Sequence, residues 1–195
     1  WFIAGATEVD GNIWTTDILR FTNDGENQQA KPVGSLSVTQ LARDDAMFSY
    51  TLFGKSGTER MVPISPLTCP DSGESYTGIW YRGVDGLGGA SVLVNDFTQT
   101  QIHYLYDDLG LPRWLYAQDV SDPNSSSFPI LQFHGYCAVC TPAEVGFVEV
   151  GTLGRSFEGE TSGSWTLDYM FDAPPSGSAS RTDQVVKITH RLDCQ

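Results

Sequence analysis

The sequence predicts an all-β protein: an antiparallel β-sandwich or barrel-like set of sheets, built from an internal repeat, with no substantial helix. Three observations predict it. Apolar and polar residues alternate with a period of two over runs of five to nine positions, and the spacing of an amphipathic helix is almost absent. The runs are separated by Gly, Asn, Asp, Ser and Pro, the residues that favour turns. Short motifs from the first part of the chain recur, in order, in the second.

The alternation places thirteen strands. Residues 1–6 and 13–21 flank Asp10-Gly11-Asn12, a turn whose residues tolerate positive φ. Residues 34–41, 46–53 and 59–65 follow, with turns expected at Asp24-Gly25 and at Gly54-Lys55-Ser56-Gly57. Residues 77–81, 90–95 and 100–106 come next; Gly86, Gly88 and Gly89 between them read as a bulge or a close approach of two backbones, since no Lys and no helix follow to make a phosphate cradle. The turn Asp107-Asp108-Leu109-Gly110 leads into the strand 113–118. Gly110 supplies a left-handed position, Pro112 sets φ on leaving the turn, and Trp114 resumes the strand as a large anchor. Residues 129–134, 146–157, 164–171 and 184–192 complete the set, with longer surface loops at 122–127 and 173–178.

The repeat organises these strands. Trp1-Phe2-Ile3-Ala4 recurs as Trp114-Leu115-Tyr116-Ala117, and Ile18-Leu19-Arg20-Phe21 as Ile130-Leu131-Gln132-Phe133. Val33-Gly34-Ser35-Leu36 recurs as Val150-Gly151-Thr152-Leu153, Met47-Phe48-Ser49-Tyr50 lies opposite Ser164-Trp165-Thr166-Leu167, and Leu67-Thr68-Cys69 recurs as Leu192-Asp193-Cys194. The offsets are 113, 112, 117, 117 and 125, a level or rising series expected of a duplication with small loop insertions. Residues 76–195 therefore read as a complete β repeat and residues 1–72 as one that lacks its first three strands. The two are expected to pack as one unit or to stand as separate ones.

Composition limits the function. The 195 residues carry 24 Asp and Glu against 11 Lys and Arg, a formal charge of −13, which excludes a reader of phosphate backbones. Apolar residues make up 40% and aromatic residues 12%, enough to form a core and to exclude intrinsic disorder. No apolar run approaches the ~18 residues of a spanning helix, so no membrane insertion is expected. The first residue is Trp, which suggests a processed form or a fragment.

The four cysteines are Cys69, Cys137, Cys140 and Cys194. A zinc site would need a second close pair or neighbouring histidines, and a thioredoxin-type pair would open a helix. The sequence has neither, so structural disulfides in an oxidising, extracytoplasmic setting are the expected use. Four cysteines permit three pairings. Cys69 with Cys194, which end the two repeats at matching positions, and Cys137 with Cys140 is the preferred one.

Gly78-Ile79-Trp80-Tyr81, Asp85-Gly86-Leu87-Gly88 and the run from Tyr106 to Leu115 resemble a repeat common in secreted and cell-surface proteins of Gram-negative bacteria. That repeat combines an opening tryptophan pair, a Ser-Gly-aromatic-Gly turn and a Tyr-Asp-x-x-Gly-x-Pro-x-Trp hairpin. Its later part, a Cys-containing loop, a Val-Gly-x-Leu strand and a Ser-Tyr-Thr-like strand, resembles residues 137–140, 150–153 and 48–51. Tyr81, Gly83 and Leu87 depart from it, where a second tryptophan, a proline and an aromatic are usual. The resemblance implies a β-rich module and an extracellular or cell-surface location, with no activity attached.

Chemistry-bearing residues are few. His103, His134 and His190 fall on separate strands, and the Gly-x-Ser-x-Gly elbow of a hydrolase triad is missing. Asp44-Asp45, Asp107-Asp108, Asp71 with Glu74, and Glu158 with Glu160 sit at expected turns, where carboxylates bond local backbone. Residues 23–27 lack the full spacing of a calcium loop. No catalytic residue, metal or cofactor is assigned. Trp80, Tyr81, Tyr104 and Tyr116 are the candidate stacking platform for a sugar ligand, against core packing as their alternative use. The function expected is a non-catalytic module acting in assembly, as a filament or lattice subunit completed by strand exchange with copies of itself or another chain, or in adhesion. A glycan-binding or accessory domain of a secreted hydrolase, and a divergent hydrolase, are the alternatives.

Overall fold

A computed structural model describes residues 2–5, 8–23, 27–42, 44–62, 76–82, 88–94, 98–122, 124–135, 144–172 and 177–189. All four cysteines, and with them the expected disulfides, lie outside the described residues, as do Trp1, Asp71, Glu74 and His190. Fourteen strands and no helix among the described residues make the chain all-β. It divides into two compact units, Trp1–Leu67 with Gly135–Val145, and Thr68–His134 with Gly146–Gln195.

The described residues of the first unit form an open antiparallel sheet. Its strands are β1 (Phe2–Ala4), β2 (Glu8–Asp10), β3 (Ile13–Asn23), β4 (Gln28–Ala42), β5 (Asp45–Leu52) and β6 (Lys55–Met61), in the order β1-β3-β4-β5-β6 with β2 also paired to β3. The sheet has two unlike faces because side chains of paired residues share a face. One bears Thr16, Leu36, Tyr50 and Gly57 in one row and Trp14, Val38, Phe48 and Glu59 in the next. The other bears Thr15, Ser37, Ser49 and Thr58, then Asp17, Ser35, Thr51 and Ser56, around a shallow groove of about 560 Å³. The apolar rows mark the core side of the sheet.

The second unit is a closed up-and-down barrel of eight strands: β7 (Gly78–Tyr81), β8 (Gly89–Val94), β9 (Gln99–Tyr106), β10 (Pro112–Asp119), β11 (Ser127–His134), β12 (Gly146–Phe157), β13 (Ser162–Met170) and β14 (Ser178–Lys187). Each strand pairs with its sequence neighbours, and β14 returns to β7. Alternate residues point inward, so Leu115 and Ala117 are buried while Trp114 and Tyr116 lie on the outside. Trp80, Phe128, Ile130, Leu153, Trp165 and Leu167 fill the interior. An eight-stranded barrel is just wide enough for side chains to do this.

The two sheets pair residue for residue along the self-similar motifs. Ile3 pairs with Leu19 and Ala4 with Ile18 in one; Tyr116 pairs with Leu131 and Ala117 with Ile130 in the other. The pairing slips by one residue after Ile18 and after Ile130, so that Val33 of β4 and Val150 of β12 are the bulged residues. Leu36 pairs with Tyr50 as Leu153 does with Leu167, and Ser49 meets Thr58 as Thr166 meets Thr182, hydroxyl to hydroxyl. Strands β1, β3, β4, β5 and β6 thus have the order and register of β10 to β14.

Some boundaries differ from the sequence expectation. A separate short strand, β2, makes fourteen strands among the described residues where the sequence predicts thirteen. The turn expected at 54–57 is the pair Phe53-Gly54, both at positive φ (51° and 77°), and Lys55 already belongs to β6. Strand β4 starts at Gln28, and its first residues, Pro32 included, pair only with β3, where an edge tolerates proline. Strand β14 starts at Ser178, six residues early, because Arg181 and Asp183 interrupt the apolar pattern.

Gly34 and Gly151 occupy matching places beside the bulges. A Cβ on Gly34 would run into the Thr51 carbonyl, and one on Gly151 into the Asp168 carbonyl. These are backbone atoms of the neighbouring strand and have no rotamer to change. Gly151→Ala is expected to destabilise the barrel by about 3 kcal/mol, and Gly34→Ala to loosen the open sheet in the same direction, as measured by urea unfolding.

Candidate functional site

The hairpin between β9 and β10 explains the most specific sequence motif. Asp107 is buried; its Oδ1 accepts hydrogen bonds from Leu109 N and Leu111 N, both at 3.0 Å, and its Oδ2 accepts from Arg113 Nε at 2.8 Å. Gly110 adopts φ 69°, and its N–H bonds the Asp107 carbonyl at 2.9 Å. The carboxylate is spent on its own turn. Asp45 is likewise held by a two-pronged contact from Arg60 (2.8 and 2.6 Å), and the backbone around Glu158 by Ser162.

Strand alternation separates the four candidate stacking residues. Trp80 points into the barrel, fully buried, with ring centroids 4.8 Å from Phe157 and 6.4 Å from Trp165, so it is a core residue and not part of a ligand platform. Tyr81, one residue on, faces outward and shares a row with Gly89, Tyr104 and Trp114. Tyr116 lies two residues beyond Trp114 on the same outer face. Tyr104 shares a 2.9 Å hydrogen bond with Ser91, and Tyr116 donates to Gln118 at 2.8 Å.

The outer wall also holds aromatics beyond the four stacking candidates. Trp114, expected as an anchor, is 42% exposed and stacks on Phe133 at 5.6 Å. Phe133 meets Tyr116 edge-on at 5.5 Å and Phe147 at 5.7 Å, and Phe147 is 60% exposed. Strand periodicity was the available signal: Trp114 and Tyr116, like Leu131 and Phe133, stand two apart and so share a face.

Inside the barrel, β9 presents Gln99, Gln101 and His103. His103 Nε2 donates to Gln101 Oε1 at 3.0 Å, and its ring meets Trp165 edge-on at 4.7 Å. Gln99 accepts from Arg155 Nη2 at 2.6 Å, and the Arg155 guanidinium lies 4.6 Å from the centre of Phe157. Asp183 is bracketed by Arg82 at 3.0 Å and Arg181 at 2.9 Å. Burial, with the charge of Arg181 adding to it, pushes His103 down to about 3, so it is neutral at physiological pH. It is a packed core histidine, while His134 lies exposed at the end of β11. Among the described residues no three His, Cys, Asp or Glu side chains converge on a metal-sized site.

The open sheet offers the second candidate, its apolar face and its edges. Phe2 on β1 is 46% exposed where its counterpart in register, Leu115, is 1% exposed. Met61 at the end of β6 is 42% exposed where Val185 is 1% exposed. Between them Leu36, Phe48 and Tyr50 are only half-buried, whereas Leu153, Trp165 and Leu167 are fully buried. Among the described residues no strand pairs with the outer edge of β1 or β6.

The His103 environment has a measurable consequence. An unfolded histidine titrates near 6.5 and this one near 3, so between those values the unfolded chain binds a proton that the folded chain does not. The contribution is complete above about pH 6.5 and falls by about 1.4 kcal/mol per pH unit as the pH drops toward 3. His103→Gln is expected to remove this component, seen as a shallower loss of stability between pH 6 and pH 4 in urea titrations.

Comparison with protein-family models, with curated proteins and with solved structures finds no match to this chain.

Proposed function

We propose that the chain is a non-catalytic β module, secreted or displayed at the cell surface, that works in assembly through the open sheet. The observation that carries this reading is the contrast between Phe2 and Met61, both exposed, and their buried counterparts Leu115 and Val185. Burying one such side chain contributes roughly 1.5–3 kcal/mol, and unpaired strand edges template the addition of further strands. The resemblance to the bacterial surface repeat supports the location.

Hydrogen exchange read together with size-exclusion chromatography tests the assembly reading. Amides of β6 are expected to exchange faster than those of β14 in dilute chain, and to slow as concentration or a partner brings the edges together. Slow exchange at β6 in a clean monomer would overturn it.

The outer aromatic wall favours a second reading, glycan binding, because Trp114 and Phe147 present broad apolar faces to solvent. On that reading Trp114→Ala is expected to abolish glycan-dependent quenching of tryptophan fluorescence while leaving the unfolding midpoint within about 1 kcal/mol. An array with no bound glycan would count against it.

A further inference from the structure

We propose that the barrel of the second unit binds a small monovalent anion, of halide or nitrate size, among Gln99, Gln101 and Trp165.

Three buried donors carry the proposal. Gln99 Nε2, Gln101 Nε2 and Trp165 Nε1 belong to side chains no more than 1% exposed, and none has an acceptor among the described residues. The amides are fixed by their oxygens. A guanidinium can only donate, so the 2.6 Å contact from Arg155 takes Gln99 Oε1, and the His103 Nε2–H takes Gln101 Oε1 at 3.0 Å. What remains of each amide is its NH2 group.

Strand geometry gathers the three. Gln99, Gln101 and His103 stand two apart on β9 and share the inward face. The His103 ring meets Trp165 edge-on at 4.7 Å, Trp165 is the register partner of Arg155, and Arg155 returns to Gln99. Five side chains thus close one circuit of contacts. A buried donor left without an acceptor bears its full desolvation cost, and native interiors rarely keep one, so three in one circuit point to a guest that accepts.

The lining selects the guest. Both amide oxygens are engaged, so the circuit offers donors; water, which must place two hydrogens of its own, suits it less than an anion, which places none. Charge points the same way. Arg155 lies in the circuit and the charge of Arg181 acts on His103. Asp183, the register partner of Trp165, is already bracketed by Arg82 and Arg181. The acids at the barrel end are engaged or screened: Asp119 accepts from Ser121 and Asp122 in its own loop, and Asp122, which also acts on Arg155, is exposed. An interior filled by side chains admits a guest of only a few atoms, and a single charge keeps its desolvation small.

Titration of the full chain with sodium bromide at pH 7, with gluconate holding the ionic strength constant, tests this by nitrogen–proton NMR. The Trp165 indole and the Gln99 and Gln101 amide signals are expected to shift together along one saturable curve, while the indole of Trp114 on the outer wall stays in place. Trp165→Phe keeps the ring and removes the N–H, and is expected to weaken bromide binding at least about tenfold. Gln101→Glu keeps an acceptor for His103 and sets a carboxylate oxygen where the amide nitrogen stood, and is expected to abolish binding. The unaltered chain decides the matter even where neither variant folds. A Trp165 response that does not saturate, or that Trp114 shares, shows an adventitious ion only and overturns the proposal. A slowly exchanging water detected at the Trp165 indole, with no response to bromide, overturns it as well. So does a folded Gln101→Glu chain that binds bromide as tightly as the unaltered one.

Discussion

Hydrogen-bond closure governs this molecule, and in the barrel it rests on a short seam. Among the described residues only Val186 with Tyr81 and Lys187 with Trp80 pair in register between β14 and β7. The seam is lengthened by Ile188 N–H bonding the Ile79 carbonyl at 2.9 Å and by Thr189 Oγ1 accepting from Ile79 N at 3.0 Å. Gly78 makes this approach possible, since a Cβ there would occupy the space of Thr189 Oγ1. Side chains reinforce what so few backbone bonds begin: Arg82 crosses the same seam to Asp183. Such a largely buried ion pair adds little net stability over an apolar pair, but loss of one partner leaves the other charge poorly solvated. The pair therefore penalises a slipped register at the place where the backbone constrains it least.

The interior behind that seam is mixed. One side is hydrocarbon, with Trp80, Phe128, Leu153 and Leu167, and the other is the Gln99, Gln101 and His103 stripe of β9 with Arg155 and Arg181 near it. Burying a neutral histidine with an amide partner costs far less than burying its cation, which is why the ring stays unprotonated. The polar stripe consequently ties stability to pH. Outside, the order is reversed, with Trp114, Phe133 and Phe147 facing solvent over a well-filled core.

Period-two alternation made most strands legible, and β12 lies within the same bounds that the pattern suggests. It failed where the inward residues are polar. Arg181 and Asp183 face inward on β14 and read as loop in a hydrophobicity pattern, so the pattern starts that strand six residues late. Alternation also contains the answer to the stacking platform, because neighbours such as Trp80 and Tyr81 cannot share a face. The matched motifs identify equivalent positions but not the bulges at Val33 and Val150, which appear only as a slip between partner strands. Exposure of Phe2 and Met61 was beyond the sequence for another reason: it depends on which strands lie beside them.

The chemistry of β6 bears on whether an edge of this kind tolerates water. Soluble proteins blunt free edges with charge, and Lys55, Glu59 and Arg60 answer that description. Yet β14, paired on both sides, carries Arg181, Asp183 and Lys187 and is no less polar. Polarity at this place in the repeat is therefore no mark of an edge built to stay unpaired. The outward hydroxyls of Ser56 and Thr58 meet Thr51 and Ser49 across the sheet, and Ser180 and Thr182 hold the same places in the closed barrel. What changes between the two settings is the inward residue at the strand's end, covered at Val185 and bare at Met61. A strand with one polar face and a short apolar stripe tolerates water while alone and gains burial when joined, the balance that a reversible joining edge requires.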